Sequence, residues 1–343
     1  MPSSRRDVLV VGAGPVGLVT ALSAARAGLD VAVVEKRDGV QDKACGEGLM
    51  PGAVRALADL GVDPPGFAFT GIAYRQGDHA ATARFRHGPG RGVRRTALSA
   101  TLRAAVLAVD IPIVAGDGAD LVRDDDSVSV GPHTARWLVA ADGLHSPVRR
   151  ALAAPPEPTR HARYGWRRHY RIAPWTDTVE VTWAADSEAY VTPVADDLVG
   201  VAILSERRAP FDTHLAAFPE LAARLHGAPV ASSDRGAGPL RQRIHHRVDG
   251  RVLFVGDAAG YVDALTGEGL AIGFATAADL VDCLVAGTPE RYERRWRRTS
   301  RVPRALTHGL LAARRTPLLA PRVVPLAERA PWLFSAVVGR LAA

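Results

Sequence analysis

Glycine spacing is the first chemical signal in this chain. Gly12-Ala13-Gly14-Pro15-Val16-Gly17 directly follows the apolar run 8–11. Between a strand and a helix, the first glycine permits a tight turn and the second lets backbone approach a pyrophosphate. The third allows close helix–strand packing. The helix behind them would aim free N–H groups and the positive end of its dipole at phosphate. Glu35 closes the next apolar run, where a carboxylate accepts from ribose hydroxyls and disfavours a 2′-phosphate. These residues describe a dinucleotide pocket ill-suited to NADP, with FAD and NAD both open.

The elements that must position them follow from the pattern. Residues 7–11 read as a buried parallel strand, 18–27 as the helix after it, and 31–34 as the second strand. A later strand, 251–255, leads into Gly256-Asp257, and Gly267-Glu268-Gly269 opens an apolar helix running to about residue 284. Asp257 can accept from the ribitol hydroxyls of a flavin. The helix near Gly267 and Gly269 can direct N–H groups at the flavin pyrimidine edge, which gains negative charge on reduction. This motif distinguishes FAD from NAD. Asp142-Gly143 follows a third strand, 137–141, and precedes a short helix. Taken alone it is an Asp-capped turn.

With 343 residues, 47% hydrophobic and 23% charged, the chain can bury a sizeable core. Its net charge of +7 comes from arginines spread along the chain, not from the basic face or arm of a nucleic-acid binder. The Arg-rich stretch 291–301 reads as a solvated helix face. Two cysteines, Cys45 and Cys283, are too few for a disulfide framework or a metal site. A cytoplasmic location follows as the expectation. No apolar run reaches the roughly 18 residues that span a bilayer. Arg5 and Arg6 imitate a signal peptide, but the stretch after them runs into the glycine turn without a cleavage site.

As an ordered set, the three motifs resemble the FAD-dependent oxidoreductases built like p-hydroxybenzoate hydroxylase, over roughly residues 5–290. That resemblance implies non-covalent FAD held by Gly12, Gly14, Gly17, Glu35, Arg95, Asp142, Gly143, Gly256, Asp257, Gly267 and Gly269. Arg95 enters because Arg94 and Arg95 precede the helical pattern Leu98, Leu102, Val106, where the family places an FAD-contacting arginine. The implied fold is α/β: a Rossmann-type, glutathione-reductase-like FAD domain with an inserted antiparallel sheet and a helical C-terminal segment. The corresponding units are residues 1–70, 93–155 and 248–290 for FAD, 71–92 and 156–247 for substrate, and 291–343 for the tail. No second dinucleotide fingerprint is present. NAD(P)H is therefore expected as a transient reductant, or a separate flavin reductase as partner.

Subfamily signals divide. Cys45-Gly46-Glu47-Gly48-Leu49 and Leu265-Thr266-Gly267-Glu268-Gly269 are similar to the geranylgeranyl reductases. The Trp-x-Trp-x-Ile-Pro segment of the halogenases is absent. Residues 168–172, 179–183, 189–194 and 198–204 read as antiparallel strands, and the resemblance implies that this sheet covers the flavin's substrate face. They carry His169 and Tyr190 as catalytic candidates, with Cys45 the third by analogy. The leading expectation is hydroxylation of a lipophilic phenol or polyketide-type metabolite through a flavin C4a-hydroperoxide. His169 or Tyr190 would serve as base or hydrogen-bond donor. The alternatives are reduction of C=C bonds in a lipophilic substrate, and a non-catalytic flavin-binding protein. The Pro-interrupted apolar tail is expected to form helices broken at Pro303, Pro317, Pro321, Pro325 and Pro331 that cover the FAD domain. Peripheral membrane contact is the alternative.

Overall fold

The computed structural model describes residues 5–157 and 161–342; the parts of the expected units at 1–4, 158–160 and 343 lie outside the described residues. Val8, Leu9, Val10 and Val11 are at most 1% exposed. A strand that apolar along both faces belongs inside a parallel sheet covered on both sides. Arg6–Val11 duly pairs in parallel with Val31–Glu35 on one flank and His133–Ala140 on the other. Ile113–Ala115 and Val252–Phe254 extend the parallel core outward. All three motifs thus leave the same edge of one sheet, since parallel neighbours end together. Helices Pro15–Arg26 and Gly269–Val285 touch closely, because a Cβ at Gly273 would stand 2.5 Å from a Val16 methyl.

A second sheet of seven strands has the order Arg235–Ala237, Tyr164–Arg171, Leu198–Ser205, Ser187–Ala195, Val179–Trp183, Gly71–Gln76, His79–Arg84. The strands expected at 168–172, 179–183, 189–194 and 198–204 lie here, and their mutual pairing is antiparallel. Val179–Trp183 pairs in parallel with Gly71–Gln76. Gly90–Gly92 joins a small separate sheet with Gly48–Leu49 and Phe67–Phe69. One face of the large sheet buries Tyr170, Val191, Val201 and Ile203 with Phe211 and Phe218. The other buries Tyr74, Trp183 and Tyr190 with Leu311, Val324, Phe334 and Val338.

That second face corrects the expectation for the tail. Helix Tyr292–Arg315 packs beside Gly269–Val285, but Val323–Arg329 and Pro331–Ala342 lie against the hairpin of strands Gly71–Gln76 and His79–Arg84. The hairpin presents Tyr74, Ala81 and Ala83 inward, an apolar surface that needs a cover. Pro303 does not break its helix, which continues to Arg315. One missing backbone donor is tolerated in a long helix held by tertiary packing.

Candidate active site

Two cavities are lined by residues that follow the parallel strands. The first is lined by Gly12, Gly14, Glu35, Lys43 and Asp142. Glu35 Oε2 accepts from the Ala13 N–H at 2.7 Å, which locks the glycine turn to the second strand. A Cβ at Gly17 would sit 1.9 Å from the Gly12 carbonyl oxygen, whereas one at Gly14 would meet nothing nearer than Arg95 Nη2 at 4.0 Å. Gly17 therefore serves packing and Gly14 leaves room for a ligand. Gly17→Ala is expected to destabilise the fold by about 2 kcal/mol or more. Gly14→Ala should melt like the parent and yet bind FAD at least about tenfold more weakly, measured by flavin titration alongside thermal melts. Equal melting of the two variants would contradict the assignment.

Asp142 performs the structural job of its turn. Its Oδ2 accepts from Ser146 Oγ at 2.8 Å and from the Val148 N–H at 3.0 Å. Its Oδ1 is buried with no partner, as is Arg95 Nε. Buried polar atoms without partners are rare in folded proteins, and a bound FAD would satisfy both. Gly143 lies beside Lys43, whose Nζ would be 3.7 Å from an added Cβ.

Asp257 is half-buried, and desolvation raises its carboxyl while Lys43, Arg95 and Arg149 oppose that rise. Lys43 is itself lowered by burial and by Arg95 and Arg37. The sequence holds only two lysines, Lys36 and Lys43, and both line the first cavity. From the sequence that scarcity in an Arg-dominated chain reads as coding bias; the fold brings both lysines to one cavity. Arg149 was missed. Only 2% exposed, it donates to the carbonyls of Asp257 at 3.3 Å and Ala258 at 2.9 Å, and also to that of Leu144. It ties the second motif to the third.

The second cavity is lined by Gly256, Asp257, Tyr261, Glu268, Gly269 and Arg304, among others. Gly256 (φ 62°) and Gly267 (φ 69°) turn the chain in the left-handed region. Gly269 begins a 17-residue helix whose first N–H groups have no helical acceptor. Glu268, at the N-cap, is 3% exposed and makes no cap bond. Its Oε2 has no partner, and burial pushes its carboxyl up to about 8. Burial also raises Asp263 to about 6, against the pull of Arg163. Tyr261 is raised by burial and by Asp257, Asp263, Cys45 and Glu268, so these groups gather around one phenol.

The three catalytic candidates fare differently. Cys45 is half-buried and its thiol is raised by burial, with Arg95 opposing; its Sγ accepts from the Glu47 N–H at 3.3 Å. His169 is 1% exposed, and both ring nitrogens are committed. Nδ1 lies 3.1 Å from Arg167 Nη1 and 2.9 Å from Ser232 Oγ, and Nε2 lies 2.6 Å from Glu47 Oε2. Arginine only donates, so Nδ1 accepts and the Nε2 proton points to Glu47. Tyr190 is buried, and its hydroxyl donates to the Leu265 carbonyl at 2.9 Å. Neither His169 nor Tyr190 presents a free group to a substrate, contrary to the roles the sequence suggested for them. Both lie on strands of the second sheet, where the sequence placed them, but what fills their hydrogen-bonding capacity lies elsewhere in the chain.

Glu47 is the residue that sequence reasoning undervalued. Its backbone is left-handed at φ 60°. Its Oε1 accepts from the Arg95 N–H at 2.8 Å while its Oε2 meets His169. Thr192 adds a 2.8 Å bond to the Gly46 carbonyl. A Cβ at Gly200 would stand 2.9 Å from Glu47 Oε2, so that glycine makes space for the pair. The loop carrying Cys45 is thereby clamped between the flavin-side helix and the second sheet.

Comparison with known proteins gives the family. A family described as FAD binding domain matches residues 5–86 and 122–291. Menaquinone reductase of Mycobacterium tuberculosis (strain H37Rv) is 30% identical over 316 residues, covering 80% of this chain and 76% of that protein. The Mycolicibacterium smegmatis menaquinone reductase is 28% identical, covering 98% and 91%. Digeranylgeranylglycerophospholipid reductase 1 of Methanopyrus kandleri is 28% identical, covering 77% and 76%. Among solved structures, a triple mutant of a flavin-dependent brominase superposes with a TM-score of 0.82 at 15% identity, covering 99% of this chain and 95% of its own; that likeness concerns the fold alone. The protein belongs to the p-hydroxybenzoate hydroxylase-like FAD-binding family and is an FAD-dependent oxidoreductase.

Proposed function

We propose that the protein saturates C=C bonds in the isoprenoid part of a lipophilic substrate, such as a prenylated quinone or prenyl lipid. One observation carries this reading. Cys45 and Glu268, two titratable groups around the flavin motif, are proton donors kept uncharged by burial, while His169 and Tyr190 are engaged elsewhere. Alkene reduction adds a hydride to one carbon and a proton to the other. Phenol hydroxylation calls instead for a base beside the ring hydroxyl. The names of the menaquinone and digeranylgeranyl relatives support the same direction.

Bound and reduced FAD would supply the hydride and be reoxidised. Gly12, Gly14, Glu35, Arg95 and Asp142 would hold its ADP half, with Asp257 and the Gly269 helix terminus at the flavin half. Cys45 gives its thiol proton to the second carbon, two C–H bonds form as the π bond breaks, and solvent reprotonates the sulfur. Glu268 keeps a protonated carboxyl in the second cavity, so it adds no anion there. NAD(P)H, or a separate flavin reductase, refills the electrons. Anaerobic bleaching by NAD(P)H alone tells these two apart.

The test is anaerobic incubation of the reduced holoprotein with a prenylated quinone, followed by mass spectrometry. The expected product gains two hydrogens per bond and no oxygen, and in deuterated water both are deuterium, because the reduced flavin and the thiol each carry an exchangeable hydrogen. Oxygen in the product under air, with none of this saturation, would overturn the reading in favour of hydroxylation. Flavin that binds but never turns over would favour a non-catalytic protein. Cys45→Ala is expected to slow saturation by about 100-fold without changing the rate at which dithionite reduces the flavin.

A further inference from the structure

The last segment of the chain has apolar residues on both of its faces. Val324, Phe334, Val338 and Leu341 are buried against the second sheet. Yet Trp332 is 73% exposed and Leu318 72%, with Leu319, Leu326 and Leu333 also exposed. Among the described residues, five of the twelve large exposed hydrophobic side chains fall within positions 318–333. In helix Pro331–Ala342 the buried positions 334, 338 and 341 define the inner stripe, and Trp332, Ala336 and Arg340 recur every four residues on the opposite one.

Charge is distributed as unevenly. Residues 291–342 hold twelve arginines against two glutamates, a formal +10. The whole chain carries +7, so the rest is net −3. Beside the exposed apolar side chains, Arg322, Arg329 and Arg340 are exposed and make no ion pair with any described residue. One of the two glutamates, Glu328, is occupied by His79 at 2.7 Å. That contact and the 3.1 Å bond from Gln76 Nε2 to the Ala320 carbonyl hold the segment on the sheet.

We propose that the segment 316–342 docks the protein on an anionic membrane surface. Trp332, Leu333, Leu318 and Leu326 enter the headgroup–acyl boundary while Arg322, Arg329 and Arg340 meet lipid phosphates. Short helices with exposed Trp and Leu and a basic polar surface lie in the interface plane by this combination of apolar burial and charge attraction. Charge decides among occupants. A second copy would bring two strongly positive faces together, whereas an anionic bilayer complements both the apolar and the basic side chains. The surface backs directly onto the second sheet, so a docked molecule would hold that sheet beside the bilayer.

Flotation of the full-length, FAD-loaded protein with vesicles tests this. Binding to phosphatidylcholine vesicles containing about 30% phosphatidylglycerol should exceed binding to pure phosphatidylcholine at least about tenfold. Trp332→Ser/Leu333→Ser should lose at least about tenfold of that binding, as should Arg322→Ser/Arg329→Ser/Arg340→Ser. Unchanged flavin content and melting temperature would show that both variants fold. Parent protein that stays with neither vesicle overturns the proposal. So does binding that ignores the Trp332/Leu333 change, binding equal on both vesicle types, or loss of the apolar patch into a self-associated oligomer detected by light scattering.

Discussion

Glu47→Ala is expected to cost about 3–5 kcal/mol in urea unfolding, the largest single-residue loss among the site positions. The substitution removes the 2.6 Å partner of His169 and the 2.8 Å acceptor of the Arg95 N–H. It also takes away the carboxylate 3.8 Å from Arg167, which is itself 1% exposed. Groups buried without partners bear the full penalty of lost hydration. Glu47→Gly should be less damaging than alanine by about 1 kcal/mol, because glycine accepts the left-handed backbone without strain. Since Glu47 also clamps the loop of Cys45, both variants should lose substrate saturation more than flavin reduction. A Glu47→Ala protein as stable as the parent would remove the case for the clamp.

Glu268→Gln is expected to make the flavin-free protein more stable at pH 8 by on the order of 4 kcal/mol and to change it by less than about 1 kcal/mol at pH 5. The folded carboxyl is raised to about 8 from an ordinary 4.5, so the folded state holds a proton that the unfolded chain has already released. Stability from this group is therefore complete below about pH 4.5 and falls as pH rises towards 8, where the full burial penalty on the charge is reached. Glutamine keeps the shape and cannot ionise, so its curve should be flat across that window. Urea midpoints measured from pH 5 to 8 decide the matter; parallel curves for the two proteins would show that Glu268 ionises as an ordinary acid. In turnover, the parent should lose saturation activity as the carboxyl ionises near pH 8, and the variant should lack that alkaline limb.

Much of the flavin domain was legible in the sequence because its signals are local. The turn at Gly12, the packing contact at Gly17 and the acid at Glu35 depend on backbone conformation and short spacing, and each lies where the pattern placed it. The strands of the second sheet were also readable from their β-branched and aromatic content. Tail placement was not. Its apolar residues specify that something must be covered, and the cover is chosen by the inward face of the 71–84 hairpin, more than 200 residues away in the chain.

The sequence alone determined the cofactor class and the parallel sheet that carries its motifs, since strand, glycine turn and helix follow from residues a few positions apart. Only the tertiary structure decided the chemistry of the groups around the cofactor. Glu47 and His169 are 122 residues apart in the chain, and nothing near either residue states that they share a proton. Glu268 is an ordinary glutamate until packing removes its water. Desolvation and long-range pairing are properties of the folded neighbourhood, and they turned the sequence's candidate base at 169 into a clamp and a motif glutamate into an acid.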